Sequence, residues 1–321
     1  MKVIIQIPCF NEAESLGITL SHLPKTLPNI SEVEWLIIND GSTDDTVKVA
    51  RECGVNHVVN FRTNQGLAKA FMAGIQTSLA LGADIIVNTD ADNQYEANDI
   101  LKLVEPILNE EADIVIGERP ISSTSHFSLL KKGLQKLGSW VVRKISGTNI
   151  PDAPSGFRAI SRDAAMQLNV FNEYTYTLET IIQAGHKNIA TKSIPIRTNE
   201  DIRPSRLVKN IWSYVKRSMI TIFRIFMVYK PMKFFGTLGN VSLIIGLLLL
   251  FRWVVLRLFF FEGLSRVPSL IVASIFIFLG VQLWLFAMLA DLFSANRKIL
   301  EEIQYYIRKE NLDEKVVSKK P

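Results

Sequence analysis

The sequence places Asp90-Ala91-Asp92 directly after a short apolar run at residues 85–88. In an extended or turn segment, two carboxylates one residue apart can converge on one hard divalent cation. Mg²⁺ and Mn²⁺ accept carboxylate oxygens and keep ligand positions for the oxygens of a substrate phosphate. Gln94 adds a neutral oxygen nearby. The alternative is a solvated acidic turn, which would explain an isolated Asp-x-Asp triplet.

Three further polar clusters each follow a short apolar run. They are Pro-Cys-Phe-Asn-Glu at 8–12, Asn-Asp-Gly-Ser-Thr-Asp at 39–44 and Asn-Gln-Gly-Leu-Ala-Lys at 64–69. A carboxylate such as Asp40 could accept a hydrogen bond from a base or a ribose hydroxyl. Gly66 allows a close approach of the backbone. Lys69 could reach a diphosphate, although a solvated helix position explains it almost equally well.

Short β-rich runs alternate with helical patterns over residues 1 to about 200. The runs lie at 3–7, 34–38, 57–61, 84–88 and 113–116, and the helical patterns at 12–22, 43–53, 67–81 and 98–108. This alternation predicts an α/β fold with a Rossmann-like, mainly parallel sheet covered on both faces. Ligands of such sheets bind beyond the carboxyl ends of the strands. Because all four polar clusters fall there, we expect an active site at that edge.

Composition points to a membrane segment. Of the 321 residues 48% are hydrophobic, and the mean hydropathy of +0.19 is unusual for a soluble enzyme. The excess lies in two uncharged runs of 18 and 24 residues, at 234–251 and 267–290. A helix needs about 20 apolar residues to cross a bilayer. We therefore predict a two-helix transmembrane hairpin with spans at about 234–256 and 267–290; a buried core helix is the alternative for the first run.

The distribution of basic residues predicts an orientation. Eight Lys and Arg residues lie between 203 and 233 and seven follow the second run, whereas the turn contains three. The positive-inside rule therefore places both termini and the catalytic domain in the cytosol. The apolar run MKVIIQIPCF is too short for a signal peptide and has no cleavage site, so we expect none. Two cysteines, Cys9 and Cys53, cannot build a disulfide framework. Both observations agree with a cytosolic catalytic domain on a membrane protein of two spans.

Residues 205–229 carry apolar side chains at helical spacing and basic side chains between them. This pattern predicts an amphipathic interfacial helix among anionic head groups; packing against the catalytic domain is the alternative.

The predicted organisation is a catalytic domain at 1–203, a juxtamembrane helix at 204–233, the hairpin at 234–291 and a cytosolic tail at 292–321. Lys131 and Lys132 lie in a segment that fits a solvated helix better than a mobile acceptor loop.

The four polar clusters together resemble those of one enzyme family. The segments IPCFNEAESL, NDGSTDDT, NQGLAKAF and TDADNQY, in this order and spacing, are similar to a family 2 glycosyltransferase with the GT-A fold. With the hairpin, the chain resembles polyprenyl-phosphate glycosyltransferases and dolichol-phosphate mannose synthases. The resemblance implies a membrane-bound, inverting enzyme that moves a sugar from a UDP- or GDP-sugar to a polyprenyl monophosphate. We expect the lipid bilayer as a partner and no nucleic acid.

The resemblance also assigns roles to residues. It implies that the nucleoside lies among Pro8, Asn11, Glu12 and Asp40, and that the metal, Mg²⁺ or Mn²⁺, is held by Asp90, Asp92 and Gln94. The nucleotide-sugar candidates also include Gly66, Lys69 and Ala91. Asp92 and Glu179 are the catalytic candidates, Glu179 as a base or an acceptor-orienting group, with a helix-surface position as its alternative. The lipid-phosphate candidates are Arg119, Arg158, Arg203 and Arg206, although Pro204 stands near an expected Gly and Arg206 replaces a Lys.

Rival functions remain open on the sequence. A processive polysaccharide synthase would share the fold, but its Gln-x-x-Arg-Trp motif does not appear and two helices cannot enclose a pore. A non-catalytic membrane module would bind nucleotide without turnover, and the intact Asp90 and Asp92 argue against it. Transfer to another lipid or to a growing glycan is a further alternative. A homo-oligomer is compatible with such an anchor, but the sequence does not fix the number of subunits.

Overall fold

The computed structural model describes residues 1–120, 129–170, 176–199, 219–220, 223–224, 226–259 and 267–317. The chain divides into two compact units, one made of residues 1–218 with 303–321 and the other of residues 219–302. Most of the segment predicted as a juxtamembrane helix lies outside the described residues. The two units are described separately.

A seven-stranded sheet forms the centre of the first unit. Its strands are β1 (Lys2–Cys9), β2 (Glu32–Asn39), β3 (His57–Asn60), β4 (Ile85–Asn88), β5 (Ile114–Glu118), β6 (Arg158–Ser161) and β7 (Thr191–Pro195). They lie in the order β3-β2-β1-β4-β6-β5-β7. The first four strands run parallel, β6 is antiparallel to both of its neighbours, and β7 is parallel to β5. The predicted mainly parallel α/β sheet is therefore confirmed, with two strands beyond the five predicted.

Helices pack on both faces of this sheet. They are α1 (Ala13–His22), α2 (Thr46–Glu52), α3 (Leu67–Ala80), α4 (Ile100–Leu108), α5 (Leu129–Ser146), α6 (Arg162–Gln167) and α7 (Thr177–His186). Successive side chains of a strand point to opposite faces, and β1 is buried on both from Val3 onwards. Ile5 joins Leu16 of α1 and Leu103 of α4 in one core, whereas Gln6 donates a hydrogen bond to the Phe71 carbonyl of α3 at 3.5 Å.

The parallel strands end side by side. Cys9 at the end of β1 pairs with Asn39 at the end of β2, and Asn39 pairs with Asn60 at the end of β3. Asn88, the last residue of β4, pairs with Gln6. The four polar clusters that follow these strands therefore start from one edge of the sheet.

The second unit contains α8 (Pro231–Phe259) and the part of α9 (Val267–Val317) that precedes residue 303. Both helices are long and apolar enough to cross a membrane, with mean hydropathies of 2.2 and 2.4 in their most apolar windows. Only 11% and 17% of those windows are buried. Core helices of a soluble domain would be mostly buried, so the predicted pair of apolar C-terminal helices is confirmed as two candidate membrane spans.

Small and polar side chains let α8 and α9 approach closely. A Cβ added at Gly246 would lie 2.7 Å from Cγ1 of Ile277 on the facing helix. The indole N–H of Trp284 donates to Oδ1 of Asn240 at 3.0 Å. Close packing at small residues and hydrogen bonds between helices are the interactions that hold helices together in lipid. The two helices therefore form a packed hairpin.

Candidate active site

The turn after β1 and the loop after β2 are joined by hydrogen bonds. Asn11 adopts a φ of +56°, which Asn tolerates better than most residues. Its N–H donates to Oγ of Ser42 at 2.9 Å, and its side-chain oxygen accepts from the Thr43 N–H at 2.8 Å. The Glu12 N–H donates to Oγ1 of Thr46 at 2.9 Å. The first two polar clusters therefore form one wall of the site.

Asp40 fixes the third cluster. Its buried carboxylate accepts the N–H of Gln65 at 2.6 Å on one oxygen and the N–H of Gly66 at 2.9 Å on the other. Gly41 permits this approach, since a Cβ there would lie 2.5 Å from the Thr63 carbonyl carbon. Asp40, predicted from the sequence to lie beside the nucleoside, thus accepts hydrogen bonds from two main-chain N–H groups. In the structure it holds the Gln65–Gly66 turn at the edge of the sheet.

The Asp90–Asp92 turn leaves the end of β4 and is braced by α1. The Thr19 hydroxyl donates to the Ala91 carbonyl at 2.9 Å. Oδ1 of Asp92 accepts the N–H of Gln94 at 3.1 Å. These contacts fix the backbone between the two carboxylates, so that both side chains start from a rigid turn.

Burial and neighbouring carboxylates together shift the pKa values of ionisable groups at this turn. Burial, and after it the charge of Asp92, raises the pKa of Asp90 to about 7, although Arg119 opposes the shift. Burial also raises the pKa of the Cys9 thiol, with further contributions from Glu12, Asp44 and Asp90. These three carboxylates belong to the loops that follow β1, β2 and β4. An added cation would relieve the repulsion between Asp90 and Asp92.

Gly156 lies against Asp90 and is held on both sides. Its carbonyl accepts a hydrogen bond from Nδ2 of Asn88 at 2.9 Å, and its N–H donates to the Tyr95 hydroxyl at 3.1 Å. Asn88 also donates to the Tyr176 hydroxyl at 2.9 Å. A Cβ at Gly156 would lie 3.0 Å from both carboxylate oxygens of Asp90 and from the Tyr176 hydroxyl. A larger residue here would therefore force the Asp90 carboxylate or the Tyr176 side chain to shift by a few tenths of an ångström.

Arg119 follows β5 and forms a two-point ion pair. Its Nε lies 2.8 Å from Oδ2 of Asp152, and its Nη2 lies 3.0 Å from Oδ1. Asp152 has no exposed side-chain surface, whereas the Arg119 side chain is 15% exposed. This fork geometry fixes the plane of the guanidinium. Arg119 thus presents a fixed, partly open positive charge to the site.

Arg158, the second arginine assigned to the lipid phosphate, is fully buried. Its Nη1 donates to Oγ1 of Thr180 at 2.6 Å, its Nη2 donates to the Ser155 carbonyl, and its guanidinium lies 5.3 Å from the Tyr176 ring centroid. A side chain without accessible surface cannot contact a ligand directly in this arrangement. Its burial argues against direct contact with the lipid phosphate, the role predicted from the sequence. Its hydrogen bond to the Ser155 carbonyl instead stabilises the loop that carries Gly156.

The remaining candidates are more scattered. Pro8 is buried within β1, and Lys69 is exposed in the first turn of α3. Glu179 is 5% exposed in the first turn of α7, which disagrees with a helix-surface position. Arg203 and Arg206 lie outside the described residues.

Sequence reasoning missed several residues that shape the site. Asn88 and Tyr95 flank the Asp90–Asp92 turn in the sequence. This closeness could have indicated that both residues belong to the site. Asp152 and Gly156 lie about 60 residues further along the chain, where no local pattern connects them with Asp90. Only the antiparallel pairing of β6 with β4 carries their loop to this edge.

The order of polar loops on this sheet matches a known family. The sequence model of glycosyl transferase family 2 matches residues 4–168, slightly more than half of the chain. The chain belongs to glycosyl transferase family 2. The matched region of this family 2 glycosyltransferase contains Asp40, Asp90, Arg119, Asp152 and Gly156, whereas Tyr176 and α7 follow it. The predicted family resemblance is confirmed.

Two relatives and one solved structure extend this assignment. An undecaprenyl-phosphate mannosyltransferase of Micrococcus luteus is 32% identical over 177 residues, 53% of this chain and 70% of that protein. Glycosyltransferase AglJ of Haloferax volcanii is 27% identical over 319 residues, 94% of this chain and 97% of that protein. Glucosyl-3-phosphoglycerate synthase from Mycobacterium tuberculosis, crystallised with Mn²⁺, UDP and phosphoglyceric acid, has a TM-score of 0.53 at 18% identity, covering 69% of this chain and 78% of that one. The last likeness establishes the shared GT-A fold of this family 2 glycosyltransferase.

Proposed function

We propose that this family 2 glycosyltransferase moves a sugar from a nucleotide diphosphate sugar to a polyprenyl monophosphate in the membrane. The observation that carries the proposal is the meeting of the Asp90–Asp92 carboxylates with the fixed guanidinium of Arg119 at one sheet edge. The same chain carries two candidate membrane spans. The name of the Micrococcus luteus relative, an undecaprenyl-phosphate mannosyltransferase, supports this class of acceptor.

The donor would bind across the loops that follow β1, β2, β3 and β4. Asn11 and Glu12 lie in the first wall, where the nucleoside would sit, and Asp40 would act through the Gln65–Gly66 turn that it holds. The exposed Lys69 in the first turn of α3 would reach the diphosphate. A UDP-sugar and a GDP-sugar are both compatible with these groups.

A divalent ion, Mg²⁺ or Mn²⁺, fits the Asp90–Asp92 turn, with Gln94 as a further oxygen donor. The raised pKa of Asp90, caused by its burial and by Asp92, reflects a repulsion between the two carboxylates that a shared cation would relieve. Within the described ranges no group of three or more His, Cys, Asp or Glu side chains could hold a metal alone. The donor phosphates would therefore complete the coordination, as is usual for Mg²⁺. When bound, such an ion stabilises the charge of a departing diphosphate.

The proposed reaction is a single displacement. An oxygen of the lipid phosphate forms a bond to the anomeric carbon, the bond from that carbon to the diphosphate breaks, and the diphosphate leaves with the electron pair. An ionised phosphate is already a nucleophile, so no strong base is needed. Glu179, buried in α7, is a candidate for orienting the acceptor. A single displacement inverts the configuration at the anomeric carbon.

On the acceptor side, Arg119 is the proposed contact for the lipid phosphate. Arginine matches phosphate oxygens with two parallel N–H bonds, and Arg119 keeps part of its side chain exposed while Asp152 orients it. Arg203 and Arg206 remain predictions for the same phosphate. We also propose that both chain termini and the catalytic domain face the cytosol, as the basic residues that flank the two spans indicate.

A transfer assay tests the proposal. The full chain in nanodiscs would be incubated with polyprenyl phosphate and a panel of UDP- and GDP-sugars, with Mg²⁺ or Mn²⁺. We expect a lipid-linked monosaccharide of inverted anomeric configuration, read from the proton coupling at the anomeric centre. A long polymer would indicate a processive synthase, and tight nucleotide binding without turnover would indicate a non-catalytic module. Retained configuration would refute the single displacement.

A further inference from the structure

Helix α5 (Leu129–Ser146) belongs to the first unit, referred to below as the catalytic unit, and all of its charged residues are basic. It contains five Lys and Arg residues and no Asp or Glu. Its formal charge of +5 equals that of the whole 321-residue chain, so the rest of the chain is neutral on balance. The helix is therefore one of the basic segments of the chain, and it lies outside both candidate membrane spans.

One face of α5 packs inward. Ser139, Val142 and Ile145 are 2%, 1% and 5% exposed, and their spacing of three residues places them on one side of the helix. Oγ of Ser139 accepts the Ala153 N–H at 3.4 Å, in the loop that also carries Asp152 and Gly156. The helix is thus held against the catalytic unit near the proposed acceptor side.

The opposite face carries an exposed aromatic side chain under a cation. The Trp140 side chain is 51% exposed, and the ammonium group of Lys144, one turn later, lies 5.6 Å from its ring centroid. The sequence continues this four-residue spacing towards the N-terminus with Lys136 and Lys132. An exposed indole beside an ammonium group, on a helix whose charged residues are all basic, suits a surface that offers both apolar groups and negative charge.

We infer that the outer face of α5 lies on the anionic lipid surface, with Trp140 in the interfacial region and Lys144 among the lipid phosphates. Tryptophan is enriched at this depth of a bilayer. Helices with basic polar faces and a Trp bind there through apolar burial and attraction to anionic lipids together. This contact goes beyond the proposed reaction, because it concerns how the catalytic unit meets the bilayer.

The contact has a consequence for the acceptor. A polyprenyl phosphate carries its phosphate at the level of the lipid head groups. Since α5 packs beside the loop of Asp152, a bilayer-bound α5 would keep Arg119 close to that level. Anchoring by α5 would therefore raise the local concentration of acceptor phosphate at the site.

Fluorescence quenching by brominated lipid tests the inference on the full chain. Nanodiscs would contain phosphatidylcholine and phosphatidylglycerol, with or without bromine near the head-group end of the acyl chains. The emission of Trp140 is obtained by subtracting the emission of the Trp140→Phe variant from that of the wild-type protein. This subtraction cancels the contribution of the other four tryptophans. We expect brominated lipid to lower this emission about twofold or more. Equal emission in both lipids would overturn the inference and leave an acidic protein partner as the explanation of the basic face.

Charge reversal tests the role of the cations with a matched control. Lys144→Glu removes a cation above the exposed Trp140, whereas Lys25→Glu removes a cation that lies 5.7 Å from the ring of Trp35, which is 4% exposed. We expect Lys144→Glu to reduce the quenching of Trp140 by about half or more, and Lys25→Glu to leave it unchanged. Equal quenching in the two variants would overturn the inference. Because the readout is lipid contact and not turnover, it is independent of the proposed reaction.

Discussion

Arg119 and Asp152 form a two-point ion pair beside Asp90, with separations of 2.8 and 3.0 Å between nitrogen and oxygen atoms. Asp152 also accepts the main-chain N–H of Arg119 at 3.2 Å. The acidic partner is fully buried and the basic one partly exposed. Removing the buried partner would leave a guanidinium without its orienting contact in a poorly solvated place. Asp152 is therefore a positioning residue for the Arg119 guanidinium, which we propose as the contact for the acceptor phosphate.

The first prediction concerns this pair. Asp152→Asn keeps the shape of the side chain but removes its charge and one of its acceptor oxygens. We expect kcat/KM for polyprenyl phosphate to fall roughly 10- to 100-fold, because Arg119 loses its fixed orientation, while the affinity for donor nucleotide stays near that of the wild type. Asp163→Asn, at an exposed position of α6, is the control. An equal loss of donor affinity would contradict this division of roles.

The second prediction concerns the space beside Asp90. In Gly156→Ala the added Cβ would come within 3.0 Å of three oxygen atoms, those of the Asp90 carboxylate and the Tyr176 hydroxyl. We expect Mn²⁺ affinity and turnover to fall together, by roughly tenfold or more, because the carboxylate must move. Gly17→Ala in α1 is the control, since its Cβ would lie at an ordinary 3.6 Å from Val49. A variant with wild-type Mn²⁺ binding would show that Asp90 does not need this space.

The third prediction concerns the proposed metal ligands. Asp92→Asn should lower turnover by roughly 10²- to 10³-fold or more, because the group that stabilises the departing diphosphate would be lost. The stronger nucleotide binding expected in the presence of Mn²⁺ should also disappear, which calorimetric titration of UDP and GDP with and without Mn²⁺ would measure. Glu105→Gln, at an exposed position of α4, should change neither quantity. Metal-dependent nucleotide binding that survives in Asp92→Asn would remove Asp92 from the metal site.

The fourth prediction concerns stability and pH. The buried Asp99 carboxylate accepts the Arg197 N–H at 2.7 Å and lies 2.8 Å from Nη2 of Arg197 and 2.9 Å from Nζ of Lys102. Although burial alone would raise the pKa of Asp99, the bonds from Arg197 and Lys102 lower it to about 2. A depressed carboxylate pKa stabilises the folded state above the pKa of the unfolded chain, near pH 4, and this contribution is lost as the pH falls towards 2.

We therefore expect Asp99→Asn to lower the free energy of unfolding of the catalytic unit by about 2 kcal/mol at pH 7. The difference from the wild type should shrink between pH 4 and pH 2. Thermal unfolding of the full chain followed by circular dichroism at several pH values would measure this. Glu105→Gln again serves as the control, and a pH-independent difference would show that the charge of Asp99 is not the cause.

The candidate membrane spans and the first five strands could be predicted from the sequence because their signals are local. An uncharged run of 24 residues indicates a possible membrane span, and a short apolar run before a polar turn indicates a buried strand, whatever the rest of the chain does. The Asp90–Asp92 turn was found in the same way. β6 was missed because its four residues begin with Arg158, a residue type that rarely lies in a core.

The sequence by itself thus determined which strands are buried, which segments are candidate membrane spans and which polar turns end the parallel strands, since each depends on neighbouring residues only. Tertiary structure alone decided the partners of the site residues. Asn88 meets a carbonyl 68 positions away at Gly156, and Arg119 meets Asp152 after 33. The burial of Arg158 and the engagement of Asp40 by Gln65 and Gly66 were settled in the same way. Hydrogen bonds and ion pairs between distant residues depend on the path of the whole chain, and no local pattern encodes that path.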